Sequence, residues 1–269
     1  MSKHTHLFSK NHSSAEIEWL KKPFKISDNY RTKIARHNYR RERSVFNAYK
    51  LCDALKYQLK YNEAYQILID FFDDYKNDYT YLKTLAILEF KILKFDDAIN
   101  HLNLLLTFNN SEPYLHYILG TLYYFTADYH NALKHFYALS NFICDDGELY
   151  IGVIYWVVLA NLKLGCKDFA TCEDFILLTK NYNGKFGHHT GYQMFYNVFN
   201  GDIDAETAIS KIDKNEVLQT VCLYYGLSVL YRNNQLRKKY LKLCLDNKDW
   251  FGAYSYIAAF VDNGYTLSI

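Results

Sequence analysis

Ten histidines and six cysteines are the residues of this chain best suited to chemistry, and their spacing does not gather them. Cys52, Cys144, Cys166, Cys172, Cys222 and Cys244 contain no C-x-x-C pair and no zinc-type interval. They read as reduced, mostly buried thiols of a cytoplasmic protein. The adjacent His188 and His189 lie in a glycine-rich stretch from Asn183 to Gly191. Neighbouring side chains point in different directions, and no carboxylate or thiol follows at the i+3 or i+4 interval that would add a ligand from one helix face. The stretch reads as a connection between helices, so neither metal nor cofactor is expected. A phosphate-binding G-x-x-x-x-G-K-S/T loop, G-x-G-x-x-G, G-x-S-x-G and H-E-x-x-H are all missing, and no cysteine has a histidine partner in sequence. The expectation is a protein that is not an enzyme, with a loop-built site near His188 as the catalytic alternative.

Charge offers a second kind of chemistry. Net charge is only +2, but the first fifty residues hold twelve Lys/Arg against four Asp/Glu. Arg31, Lys33, Arg36, Arg40, Arg41 and Arg43 fall along an expected helix that begins near Asp28, and its spacing puts Arg36, Arg40 and Arg43 on one face. A nucleic acid or an anionic surface is one reading of this patch. A solvated helix that caps the rest of the fold is the preferred one, because no nucleic-acid motif accompanies it and the face lacks the apolar moment of a membrane-lying helix.

The elements that must position these residues are legible through self-similarity. Lys60-Tyr61-Asn62-Glu63-Ala64, Lys94-Phe95-Asp96-Asp97-Ala98 and Asp128-Tyr129-His130-Asn131-Ala132 repeat at intervals of 34 and 34 residues. Twelve residues before each alanine stands a small or slim residue, Cys52, Ala86 or Gly120. Two helices of a hairpin approach closely only where facing side chains are small, so Gly120 against Ala132 is the expected crossing point. Leu51, Leu85 and Leu119 precede the small residues, and Leu68, Leu102 and Phe136 follow the alanines by one turn on the same face. Two prolines in the whole chain are consistent with long helices.

The segment from Tyr114 to Phe136, with Leu119, Gly120, Tyr123, Ala132 and Phe136, resembles the tetratricopeptide repeat family, as do Leu85, Ala86 and Ala98 one period earlier. The resemblance implies an all-α fold, a right-handed α-solenoid of antiparallel helix hairpins. Units are placed at 45–78, 79–112 and 113–146, and a degenerate fourth at 151–184 rests on Leu164-Gly165 followed by Ala170. The chain then divides into a basic arm and helix over 1–44, the repeats over 45–184, and degenerate repeats with capping helices over 185–269. In that last region Asn200-Gly201-Asp202 with Ala205 and Ala208 reads as another turn and second helix. Tyr225-Gly226 is expected to begin a helix ending at Asn233-Asn234, with further helices over 235–245 and 249–261.

Family geometry would put the first helix of each pair on a concave face. That face would carry Phe46, Tyr49, Asp53, Lys56 and Tyr57, then Lys83, Ile87, Phe90 and Lys91, then Tyr114, Tyr117, Thr121, Tyr124 and Phe125, and finally Tyr155, Leu159 and Lys163. Tyrosine offers area and a hydroxyl at low entropic cost, so an aromatic groove for a partner protein or peptide segment is the leading expectation. Some of these tyrosines read equally as inter-repeat core. The chaperone-tail clamp subgroup would need lysine and asparagine where Tyr49 and Asp53 stand. Chaperones of type III secretion translocators, which the three repeats also resemble, are the narrower alternative, and a nucleic-acid-associated protein using the basic helix is the other. Met1 to Ser14 holds no apolar stretch of the signal-peptide kind. Leu149 to Leu162, the most apolar window, is too short to cross a bilayer and is expected to be a buried helix.

Overall fold

A computed structural model describes residues 30–110, 112–140, 147–166, 190–213, 216–247 and 253–264. Among them are fourteen helices and no strand. The chain separates into two compact units with the boundary between Asn110 and Ser111.

The first unit contains α1 (Tyr30–Arg41), α2 (Val45–Tyr57), α3 (Tyr61–Ile69), α4 (Phe72–Tyr75), α5 (Tyr79–Lys91) and α6 (Phe95–Phe108). Consecutive helices pair, α1 with α2, α2 with α3 and α5 with α6, while α3 also packs on α5. The second unit contains α7 (Pro113–Phe125), α8 (Tyr129–Ser140), α9 (Gly147–Leu164), α10 (Thr190–Asn200), α11 (Ala205–Lys211), α12 (Val217–Leu230), α13 (Asn234–Leu245) and α14 (Tyr254–Asp262).

The 34-residue period is written into the backbone. α2, α5 and α7 each end on a residue with positive φ, Leu59 at 57°, Leu93 at 65° and Ala127 at 60°. The next amide reaches five residues back, Lys60 to Leu55 O at 3.0 Å, Lys94 to Glu89 O at 2.8 Å and Asp128 to Tyr123 O at 2.8 Å. The left-handed residue itself donates three residues back, to Lys56, Phe90 and Tyr124. This pair of bonds satisfies carbonyls that a helix end otherwise leaves open, and it reverses the chain within four residues. α9 and α10 end the same way, but with Gly165 (φ 107°) and Gly201 (φ 84°) at the left-handed position. The starts recur as well. Ser44 and Asp78 cap α2 and α5 by accepting from Asn47 and Tyr81 amides, and Glu112 precedes Pro113 in the equivalent place before α7.

A side chain other than glycine in the left-handed region costs roughly 1–2 kcal/mol. Ala127 is exposed, so its methyl group packs nothing. Ala127→Gly should therefore raise stability by about 0.5–1 kcal/mol after the extra freedom of the unfolded chain is subtracted. An unchanged or lower urea midpoint would contradict this.

The expected hairpin core is buried. Cys52, Ala86, Ala64, Ala98, Ala132, Leu68, Leu102 and Phe136 are inaccessible to solvent. In the first hairpin Cys52 Sγ lies 3.2 Å from the Ala64 carbonyl, a slim residue facing an alanine across the crossing point. In the third hairpin the atoms nearest Gly120 are those of the Phe136 ring, one turn beyond Ala132, and a Cβ built on the glycine would sit 2.6 Å from a ring carbon. Glycine here makes room for the aromatic ring that stands where the first two hairpins have Leu68 and Leu102.

In the second unit the helices fold back on one another. α9 packs on α8, α10 and α12, α12 packs on α10, α13 and α14, and α14 also touches α7. α9 is buried from Tyr150 to Leu162, as its apolar sequence predicts, and α12 is apolar on most of its circumference because it is surrounded. Gly226 lies within α12 and does not begin a helix; a Cβ there would come within 2.4 Å of the Phe195 ring of α10. Gly191 makes the other close approach of the same pair, where a Cβ would come within 2.4 Å of the Gln219 carbonyl oxygen. The boundary at 110/111 therefore falls inside the expected 45–184 array, since α7 belongs with helices later in the chain. The second helix of the fourth unit, around Ala170, lies outside the described residues.

Candidate partner surface

The aromatic and basic residues expected to line one groove divide by burial. Phe90, Tyr117, Tyr124, Phe125 and Tyr155 are interior residues. This corrects the expectation that they face a partner. In the second unit the inner faces of α7 and α9 are covered by the chain's own α12 and α14. Tyr155 Oη donates to the Cys222 carbonyl of α12 at 2.8 Å and lies 3.3 Å from Ser255 Oγ of α14. Trp156 Nε1 donates to Tyr117 Oη at 3.2 Å, and the Tyr254 ring of α14 sits 5.9 Å from the Tyr117 ring. Burial drives the Tyr117 phenol up to about 12 and those of Tyr124 and Tyr155 well above the ordinary tyrosine value. These hydroxyls stay protonated and act as donors that let a polar ring end sit in an apolar interior.

The network runs outward through α14. Tyr225 Oη donates to Asp262 Oδ2 at 3.1 Å, which leaves Tyr124 Oη to donate to Tyr225 Oη at 2.8 Å. Lys163 Nζ closes on the same Asp262 oxygen at 2.5 Å. Asp262 thus ties the end of α14 to α9 and α12, which holds the aromatic face shut. The signal was present in sequence only as apolar helices 217–230 and 254–262 of unknown placement.

Residues that remain accessible lie mainly in the first unit. Phe46 is 61% exposed and Tyr57 67%, with Tyr49 half-buried between them on the same side of α2, and Lys83 half-buried on α5. Burial, then the nearby Asp78 carboxylate, raises the Tyr49 phenol to about 12. Lys50 Nζ sits 4.1 Å from the Phe46 ring centroid and Lys56 pairs with Asp53 at 2.7 Å, so the stripe alternates aromatic and charged groups. In the second unit Tyr114 is 42% exposed at the start of α7.

The basic residues also divide. Arg36 of α1 pairs with Glu63 of α3, and Arg43 pairs with Asp70 at 2.6 Å, two contacts one heptad apart on each element. Arg43 also lies 5.7 Å from the Tyr39 ring, and that tyrosine followed by Asp70 raises its pKa. Thr32 and Gln58 seal the other end, with Gln58 Nε2 donating to Thr32 Oγ1 at 2.6 Å. Arg36 and Arg43 therefore fasten α1 to the helices behind it, while Arg40 faces solvent, and the three do not share one free face.

Cys52, Cys166, Cys222 and Cys244 are free thiols. Burial pushes Cys52 to about 12 and Cys222 to about 11, which keeps both as thiols and not as nucleophilic thiolates. Among the described residues no three His, Cys, Asp or Glu side chains converge as a metal site, and no helix is long and apolar enough to cross a membrane. His188 and His189 lie outside the described residues. His116 and His135 meet at Nδ1–Nδ1 3.1 Å; burial, then His116 and Lys134, lowers His135 to about 4, so His135 is neutral at physiological pH. No protein-family model and no curated protein matches this chain.

Proposed function

We propose that this chain is a non-catalytic scaffold of tetratricopeptide type, a right-handed array of helix hairpins that holds a segment of another protein in the cytoplasm. The observation that carries the reading is the pair of exposed aromatics Phe46 and Tyr57, with the half-buried Tyr49 on the same side, on a first helix whose turn, cap and core recur every 34 residues. Exposed aromatics interleaved with Lys50, Asp53 and Lys56 combine area with orientation-specific polar contacts, as partner sites require. The buried aromatics of α7 and α9 are assigned to the core of the second unit and no longer to the partner surface.

The test compares wild-type protein with Phe46→Ala/Tyr57→Ala. Partners co-isolated from the native host are identified, purified and titrated directly. The double variant should keep the helical circular dichroism signal and bind the purified partner at least tenfold more weakly, given about 2 kcal/mol for a good aromatic anchor. Undiminished affinity would remove this stripe as the partner site and the reading with it.

A further inference from the structure

The outer face of α1 is cationic along its whole length. Tyr30, Lys33, Ile34, His37, Arg40 and Arg41 recur at intervals of three and four residues, and all six are exposed. Tyr30 is 79% exposed and Ile34 43%. No acidic residue occurs in the helix. Arg36, turned the other way, is taken up by Glu63 of α3, and Arg43, just beyond α1, by Asp70, the residue after α3, so these two carboxylates serve the inner side and leave the outer one unbalanced. The nearest carboxylate in sequence is the exposed Glu42, beyond the last turn. At the opposite end the Arg31 guanidinium lies 5.2 Å from the ring centroid of the exposed Tyr57, adjacent to Tyr30.

We infer that this face binds single-stranded nucleic acid, with Lys33, Arg40 and Arg41 on phosphates and Tyr30 as a stacking surface for a base. The inference goes beyond the protein-binding reading and does not depend on it. Three cations along about 12 Å of helix form a track for a polyanion. The other exposed groups decide which polyanion. A membrane-lying helix needs a continuous apolar strip, and this face has one isoleucine. Single-stranded nucleic acid is held by phosphate contacts joined to flat rings on which bases stack, and Tyr30 beside the Arg31–Tyr57 pair supplies that combination.

The full chain should be titrated into a fluorescein-labelled uridine oligomer, and separately into a thymidine oligomer, across a salt series. Binding should be micromolar at low salt, with a log–log salt slope of about −2 for three phosphate contacts on a single strand. Lys33→Gln/Arg40→Gln/Arg41→Gln should weaken it more than tenfold and flatten the slope, and Tyr30→Ala should weaken it severalfold without changing the slope. Lys238→Gln/Lys239→Gln/Lys242→Gln removes equal charge from the exposed side of α13 and should stay within about twofold of wild type, since only long-range screening remains. All variants must keep the wild-type circular dichroism signal. Absence of binding at low salt, equal loss in the α13 variant, displacement of the oligomer by polyglutamate at equal charge concentration, or binding to phosphatidylserine vesicles in preference to either oligomer would each overturn the inference.

Discussion

Gly120→Leu is expected to destabilise the second unit by about 3 kcal/mol, the upper part of the range for overpacking a closed core. The Phe136 ring leaves no room even for a Cβ, its nearest carbon being 2.6 Å away. Phe136 is itself inaccessible to solvent, and its ring also meets Tyr117 at 6.4 Å, so it has no free direction in which to retreat. Urea denaturation followed by circular dichroism reads the loss. Phe136→Ala alone should cost about 3–5 kcal/mol through the cavity it leaves. The double variant should cost clearly less than the sum, because the leucine enters space that the ring has vacated. Strict additivity would mean that α7 and α8 do not meet at this point.

His101→Leu should have an effect of similar size for a different reason. Glu89 is buried within α5, and its Oε2 is 2.8 Å from His101 Nδ1 on α6. Removing the imidazole leaves a carboxylate in the interior, and the expected cost is about 3 kcal/mol, the lower end of the range for breaking a buried pair since His101 keeps some solvent access. The repeat suggests the rescue. One period earlier the same two positions are Leu55, in the apolar core of the first hairpin, and Ile67, partly buried against that core. Glu89→Leu/His101→Ile should therefore be as stable as wild type or more so, because it removes two desolvated groups together. A double variant no better than His101→Leu would contradict the equivalence.

The same pair sets a pH dependence. The hydrogen bond from Glu89 is the main cause of a raised His101 pKa, which burial opposes. A group with a raised folded pKa contributes stability that is fully present below its unfolded value, near 6.5 for histidine, and lost as pH rises through the folded value. Wild-type stability should fall as pH rises from about 6.5 through the folded value. Glu89→Leu/His101→Ile should lack this component.

Repetition made the first three hairpins legible. A left-handed residue at 59, 93 and 127, a cap at 44 and 78, and a small residue facing a hairpin partner are local requirements, satisfied by residues a few positions apart. The cost of the wrong residue there falls on the same hairpin, so the pattern recurs wherever the hairpin does. Cys52 against Ala64 followed from spacing alone. Gly120 was recognised as a close approach, but the Phe136 ring as its nearest neighbour was not. A glycine only specifies that something is near, and which ring fills the space depends on how far the two helices slide.

The candidate surface was less legible because exposure is not a local property. Tyr57 and Tyr155 are the same residue type, each on the first helix of a pair, yet one is open and the other is covered by α12 and α14. What covers Tyr155 lies 67 and 100 residues further along, at Cys222 and Ser255. The basic helix divides for the same reason. Charge and period place Arg36, Arg40 and Arg43 on one helix face, but α1 ends at Arg41, and only the positions of Glu63 on α3 and Asp70 just after it decide which arginines are spent within the fold. Sequence by itself determined the all-helical class, the period and the hairpin core, since turns, caps and small-residue contacts act over a few residues. Tertiary structure alone decided which aromatic and cationic side chains reach solvent, since burial and ion pairing are settled by elements distant in the chain.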